Sequence, residues 1–281
     1  KKKIFSTESA HILCVKKIGN EIYVGTGEPA CVYRILDNKI TKLFEFNPEE
    51  YVFDILKLKN EFYIATSPYG RVYHIKNGKL DTINTGFESV FRLVGEKGVL
   101  YMTCGSPGVI LKFEKDKLDT LYKSNERNII PLVIKDNDFY FGTDGNGLFL
   151  KLENGKRLVA IYDADESEIN SIIFVNNDVY LGATGDSISN IYRISGNLIE
   201  SMWSSYGTLY AMDYYNNSII ACVDNKLFQI RNKRDYSIIA SFDPGTRVSA
   251  IQGDIFATNK PNEVFILTKE QAKAVSYTHL R

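Results

Sequence analysis

Histidine and cysteine chemistry is nearly missing from this chain. Its 281 residues contain His11, His74 and His279 alone, and no two share a spacing suited to a metal, which excludes a histidine-rich zinc site. The four cysteines, Cys14, Cys31, Cys104 and Cys222, form no C-x-x-C pair. They read as buried free thiols rather than as a zinc knuckle or a redox pair. Charge of one sign is lacking too. Thirty-four Lys and Arg balance thirty-four Asp and Glu, so no net field draws in nucleic acid or an anionic membrane. No run reaches the roughly 18 apolar residues of a membrane helix, and no cofactor is indicated.

Aromatic residues are plentiful: 18 Tyr and 16 Phe, beside frequent Ile and Val. Such side chains suit half-buried strands. A block of two apolar and two small residues recurs as Tyr23-Val24-Gly25-Thr26, Tyr63-Ile64-Ala65-Thr66, Tyr101-Met102-Thr103-Cys104, Tyr140-Phe141-Gly142-Thr143, Tyr180-Leu181-Gly182-Ala183, Ile219-Ile220-Ala221-Cys222 and Ile255-Phe256-Ala257-Thr258, at intervals of 36 to 40 residues. An apolar run such as Ile12-Leu13-Cys14-Val15 precedes each block, and an alternating run such as Val32-Tyr33-Arg34-Ile35 follows it. Turns such as Asn77-Gly78 and Asn154-Gly155 then lead to a weaker fourth run, and Asn-Gly between alternating runs marks a hairpin.

Four short strands in a unit of about 40 residues, repeated, is the arithmetic of a β-propeller blade. The expected fold is all-β: a seven-bladed propeller of four antiparallel strands per blade, its ring closed by the N-terminal strand over residues 3–7. Residues 1–270 read as one monomeric domain, and residues 271–281 as its last outer strand or a non-native tail. The small pairs are expected where neighbouring sheets crowd together.

The stretch DFYFGTDGNGLFLKLENGK (138–156) resembles the two-component regulator propeller repeat, with GTGEPACVYRI and TSPYGRVYHI as looser versions. The resemblance spans most of the chain, with copies six and seven degenerate, and implies a sensor or interaction role outside the cytoplasm. A single Trp203 fits neither Trp-Asp repeats nor Trp-rich quinoprotein repeats.

Other motifs reduce to turns. Gly25-Thr26-Gly27-Glu28-Pro29-Ala30 matches a loose dinucleotide fingerprint, but a strand follows where that loop needs a helix N-terminus. Gly185-Asp186-Ser187 has no histidine placed to activate the serine. Asp144-Gly145-Asn146-Gly147 lacks the later ligands of a calcium loop and reads as a tight turn. Asp54 and Arg92, at matching positions of adjacent units, are expected to form an ion pair in the channel.

The loops entering each unit and those joining its second and third strands should share one face. The candidate binding rim is His11, Tyr51, Tyr69, Arg92, Asn128, Asp144, Asn146, Glu168, Trp203, Tyr206 and Arg247, a mixture suited to a small polar ligand, a glycan or a peptide. The leading expectation is a non-catalytic ligand- or protein-binding module. Its rivals are a gluconolactonase- or lyase-like enzyme with a metal at the channel mouth, and a scaffold within a longer chain.

Overall fold

The computed structural model describes residues 1–268. The proposed last outer strand or tail, residues 271–281, lies outside them. Among the described residues there is no helix. After β1 (Lys2–Ser6) come six complete four-stranded meanders: β2 (His11–Ile18), β3 (Glu21–Gly27), β4 (Cys31–Leu36), β5 (Lys39–Glu45); β6 (Tyr51–Leu58), β7 (Glu61–Ser67), β8 (Arg71–Lys76), β9 (Lys79–Asn84); β10 (Ser89–Glu96), β11 (Val99–Gly105), β12 (Val109–Glu114), β13 (Lys117–Lys123); β14 (Asn128–Lys135), β15 (Asp138–Asp144), β16 (Leu148–Glu153), β17 (Arg157–Asp163); β18 (Glu168–Val175), β19 (Asp178–Thr184), β20 (Ile188–Ser195), β21 (Leu198–Tyr206); and β22 (Leu209–Tyr215), β23 (Ser218–Val223), β24 (Lys226–Asn232), β25 (Asp235–Ser241). A seventh meander is assembled from both ends of the chain. There β26 (Arg247–Gln252), β27 (Ile255–Asn259) and β28 (Glu263–Ile266) are completed by β1, antiparallel to β28 with Lys2 opposite Ile266.

Bridges of one residue pair, Gly27 with Tyr51, Gly105 with Asn128 and Asp144 with Glu168, join some meanders into sheets of 8 and 12 strands, while the last two remain four-stranded. Many hairpins turn on two consecutive residues with positive φ, as at Asp136-Asn137 (53° and 66°) and Asn216-Asn217 (49° and 58°). That geometry matches the twist of the flanking strands, and Asn and Asp tolerate it.

The core is a series of apolar layers between neighbouring meanders. One layer contains Val72, Val90, Leu93, Met102 and Leu111; another holds Phe5, Ile12 and Val24 against Ala250, Ile255 and Val264, so the first and last units share it. Each such side chain contributes about 1.5–3 kcal/mol on burial. The small residues of the repeat sit where the next unit presses closest. A Cβ on Gly25 would lie 2.6 Å from Val52, on Gly142 2.5 Å from Ile169, and on Gly182 2.7 Å from Leu209. The threonines beside them do more than save space: Thr26 Oγ1 donates to the carbonyl of Pro29 (2.9 Å), and Thr66 Oγ1 to that of Arg71 (3.1 Å), each tying down the following loop.

The first strand of every meander carries an irregularity at the same place. The ladder skips Leu13, Phe53, Phe91, Asn170, Tyr210 and Ser249 in six of them, and Ile130 with Pro131 in β14. A bulge re-aims the side chain it frees. All of these residues line one cavity of about 490 Å³, bounded by the first strands of all seven meanders.

Candidate functional site

Because each first strand begins opposite the end of its second strand, as in His11 with Gly27, Asn128 with Asp144 and Glu168 with Thr184, the loops at those positions lie at one end of the cavity. Their charge is one-sided. They carry Glu8, Glu28, Glu49, Glu50, Glu88, Glu126, Asp165, Glu166, Asp186, Asp224 and Asp243, against Arg127 and Lys260. The zero net charge of the whole chain conceals an acidic face.

The cavity wall divides into two arcs. One runs through Leu13, Phe53, Phe91 and Ile130 and is apolar, with the Phe53 and Phe91 rings in edge contact at 5.6 Å. The other runs through Asn170, Tyr210 and Ser249 and is polar.

Beside the apolar arc lies Asp54, fully buried and saturated with partners. Lys16 Nζ is 2.8 Å away and Arg92 Nη1 3.8 Å, while the backbone amides of Ile55 (3.0 Å) and Leu93 (2.8 Å) donate to the carboxylate. The expected Asp54–Arg92 pair therefore exists, but its stronger member is Lys16. Arg92 lies within the cavity wall rather than in the rim loops. The signal for Lys16 was present in the sequence: it stands two residues beyond Cys14, and alternate strand residues share a face. Cys14 itself is buried near Asp54, and burial pushes its thiol up to about 12.

The polar arc is less satisfied. Asn170 Nδ2 donates to Thr184 Oγ1 (3.0 Å) and to the carbonyl of Leu209, but its buried Oδ1 has no partner among the described residues. Glu168, on the same strand and lining the same cavity, is half-buried, and its carboxylate has no side-chain hydrogen bond or ion pair among the described residues. Burial, assisted by the Asp144 carboxylate, raises its pKa to about 7. Asp144 in turn accepts from Asn128 Nδ2 at 2.6 Å. Arg247 is exposed and places its guanidinium 4.5 Å from the Tyr210 ring centroid. Ser249 Oγ donates to the carbonyl of Ile12 at 2.7 Å, fastening the last meander to the first.

The remaining rim candidates are scattered around the loop face. His11 lies against Tyr51, ring centroids 5.7 Å apart, and the Tyr51 hydroxyl donates to Glu28. Tyr69 is exposed and donates to Glu49 at 2.5 Å, with Arg71 over its ring. Asn146 Nδ2 donates to the Glu126 carboxylate at 2.9 Å. The Asp144–Gly147 stretch is a turn, with φ +132° at Gly145 and +58° at Gly147, where a Cβ would meet the Glu166 carbonyl oxygen at 1.9 Å. Tyr206 is 82% exposed at the end of an outer strand.

Trp203 is misplaced by the sequence reading. It is 5% exposed and packs on Phe228 (4.9 Å) inside an apolar layer. A bulge at Met202 in β21 reverses the alternation and turns the indole inward. His74 stacks on Tyr63 at 4.3 Å and bonds Glu61 at 2.7 Å.

Two buried carboxylates were missed. Glu50 accepts from the Tyr73 hydroxyl (2.7 Å) and Arg71 (3.1 Å); Glu166 accepts from the Tyr192 hydroxyl (2.9 Å) and from Asn190. Each anchors the loop entering a unit to the third strand of that same unit. Among the described residues, no three His, Cys, Asp or Glu side chains converge as metal ligands would.

No family model and no curated protein sequence matches the chain. Solved structures do. Streptogramin B lyase superposes with TM-score 0.77 at 11% identity, over 95% of this chain and 97% of that one. The extracellular domain of the hybrid two component system BT4673 from B. thetaiotaomicron gives 0.72 at 12% identity, over 94% of this chain and 39% of that one. YCF48 from Cyanidioschyzon merolae gives 0.67 at 10%, over 94% and 98%. At such identities the likeness concerns architecture alone: the fold is a β-propeller.

Proposed function

We propose that the chain is a seven-bladed β-propeller, closed by β1, that works as a non-catalytic ligand- or protein-binding module of the regulator-propeller kind. The site is the cavity mouth and its loop face, and the ligand is a small polar molecule, a glycan or a peptide. The observation that carries the reading is the repeated bulge: every meander delivers a side chain free of the ladder to one cavity, whose wall also holds the Glu168 carboxylate, without a side-chain partner among the described residues. Buried polar groups are normally paired, so an unpaired carboxylate at a cavity wall suits a ligand. The likeness to the extracellular domain of a two component system supports a sensing role and an extracytoplasmic location.

The test is a thermal-shift screen of polar metabolites, glycans and peptides, with turnover of each hit followed by mass spectrometry. The reading expects at least one saturable, unconsumed hit whose affinity falls when Tyr210 and Arg247 are both changed to Ala while the melting temperature stays within a few degrees. Consumption of the hit, or binding indifferent to those changes, would overturn it.

A further inference from the structure

Six charged side chains line the cavity: Lys16, Asp54, Arg92, Glu168, Asp213 and Arg247. Four are engaged with the protein. Lys16 and Arg92 close on Asp54 (2.8 and 3.8 Å), and the Asp213 carboxylate accepts from the backbone amides of Tyr214 (2.8 Å) and Gly253 (2.7 Å). The other two are of opposite sign and open. The Glu168 carboxylate has no side-chain partner among the described residues, and Arg247 rests over the Tyr210 ring, a contact that uses none of its N–H donors.

Their places in the fold are equivalent. Glu168 opens β18 and Arg247 opens β26, with β22 and its Tyr210 packed between them. By lying over Tyr210, Arg247 extends from its own meander across the next one in the direction of Glu168, yet no ion pair joins the two among the described residues. Glu168 is half-buried and Arg247 exposed, so a ligand entering from solvent meets both at the mouth.

A simple ion does not answer such a pair. A cation alone meets Arg247 with like charge, and an anion alone meets Glu168 and the acidic loops. A zwitterion satisfies both, bringing N–H donors to the carboxylate and a carboxylate to the planar fork of the guanidinium. Across the cavity Phe53, Phe91, Leu13 and Ile130 offer apolar surface to a hydrocarbon group, and the volume of about 490 Å³ lies within the range of small-molecule sites.

We infer that the cavity mouth takes a free α-amino acid with an apolar side chain, its ammonium on Glu168, its carboxylate on Arg247 and its hydrocarbon against Phe53 and Phe91. The inference rests on the binding-module reading and names the ligand class of that site. The raised carboxyl pKa of Glu168 agrees with it, since the charged form carries a cost that an ammonium offsets.

The probes are L-phenylalanine and L-leucine, with phenethylamine and 3-phenylpropionate as counterparts of phenylalanine that lack its carboxylate and its ammonium. Each is titrated calorimetrically at pH 8 into the intact chain and into Glu168→Gln, Arg247→Gln and Phe91→Ala. Saturable binding of an amino acid supports the inference when it weakens at least about tenfold in Glu168→Gln and in Arg247→Gln, each of which loses a charge-assisted hydrogen bond, when it also weakens in Phe91→Ala, and when both counterparts bind more weakly than phenylalanine. Melting curves identify a variant that fails to fold, in which case the remaining variants and the counterparts decide. Absence of binding by both amino acids, a counterpart that binds as tightly as phenylalanine, or full affinity in any folded variant overturns it. A saturable screen hit of another class, in the absence of amino-acid binding, overturns this inference and leaves the binding-module reading standing; no saturable hit of any class overturns both.

Discussion

Asp54 and Glu168 are both acidic, both line the same cavity, and stand on opposite arcs of its wall. Asp54 is closed in by Lys16, Arg92 and two backbone amides; Glu168 has no such partner among the described residues, and its carboxyl is held near pH 7. The difference teaches that burial alone does not mark a functional carboxylate. A saturated one holds strands together, whereas an unsaturated one stores a demand that something else can meet.

The contrast is open to direct attack. The largest effect is expected from Asp54→Ala, which leaves Lys16, the Leu93 amide and the Ile55 amide uncompensated; urea denaturation should show a loss of about 3–5 kcal/mol. Glu168→Gln should act in the opposite sense. A carboxyl whose pKa is raised in the folded chain keeps its proton there and yields it on unfolding. Its contribution is full below its ordinary value of 4.5 and is lost as pH rises through about 7. At pH 8 the charged Glu168 therefore burdens the fold, next to Asp144 and without help from Arg247, which is committed to Tyr210. Replacement by Gln should raise stability at pH 8 by up to about 3 kcal/mol, and the gain should vanish below pH 4.5. Equal melting temperatures for the two proteins at pH 8 would refute the assignment. The smallest effect belongs to Ser249→Ala on the polar arc. It removes one hydrogen bond to the Ile12 carbonyl and should cost about 1 kcal/mol, measured in the same titrations.

Legibility followed the length scale of the signal. The strand blocks and their turns were readable because Gly25, Gly142 and Gly182 recur at a fixed distance from the residues that press on them, Val52, Ile169 and Leu209. The pairing of β1 with β28 was readable because Lys3–Thr7 precedes the first strand without a partner of its own. The bulges were silent. An extra residue inserted at the same place in each first strand leaves the spacing between strands almost constant, so the repeat hides it. Without the bulges, the cavity wall could not be divided into arcs, and Glu168 looked like one rim candidate among eleven. Trp203 went astray for the same reason, since the bulge at Met202 in its strand reverses the inward and outward sides. The acidic loop face was also invisible to a composition in which Lys and Arg cancel Asp and Glu, because the cancelling cations reside elsewhere on the molecule.

The bulged positions have one more implication. A residue outside the ladder can change identity without disturbing the register of its strand. Leu13, Phe53, Phe91, Ile130, Asn170, Tyr210 and Ser249 thus form a short alphabet written around an invariant frame. Relatives that keep the frame and respell those letters would keep the architecture and exchange the cargo, and a library randomised at Leu13, Phe53, Phe91, Ile130 and Tyr210, sparing Asn170 and Ser249, which tie neighbouring units together, would sample new specificities on an unchanged frame.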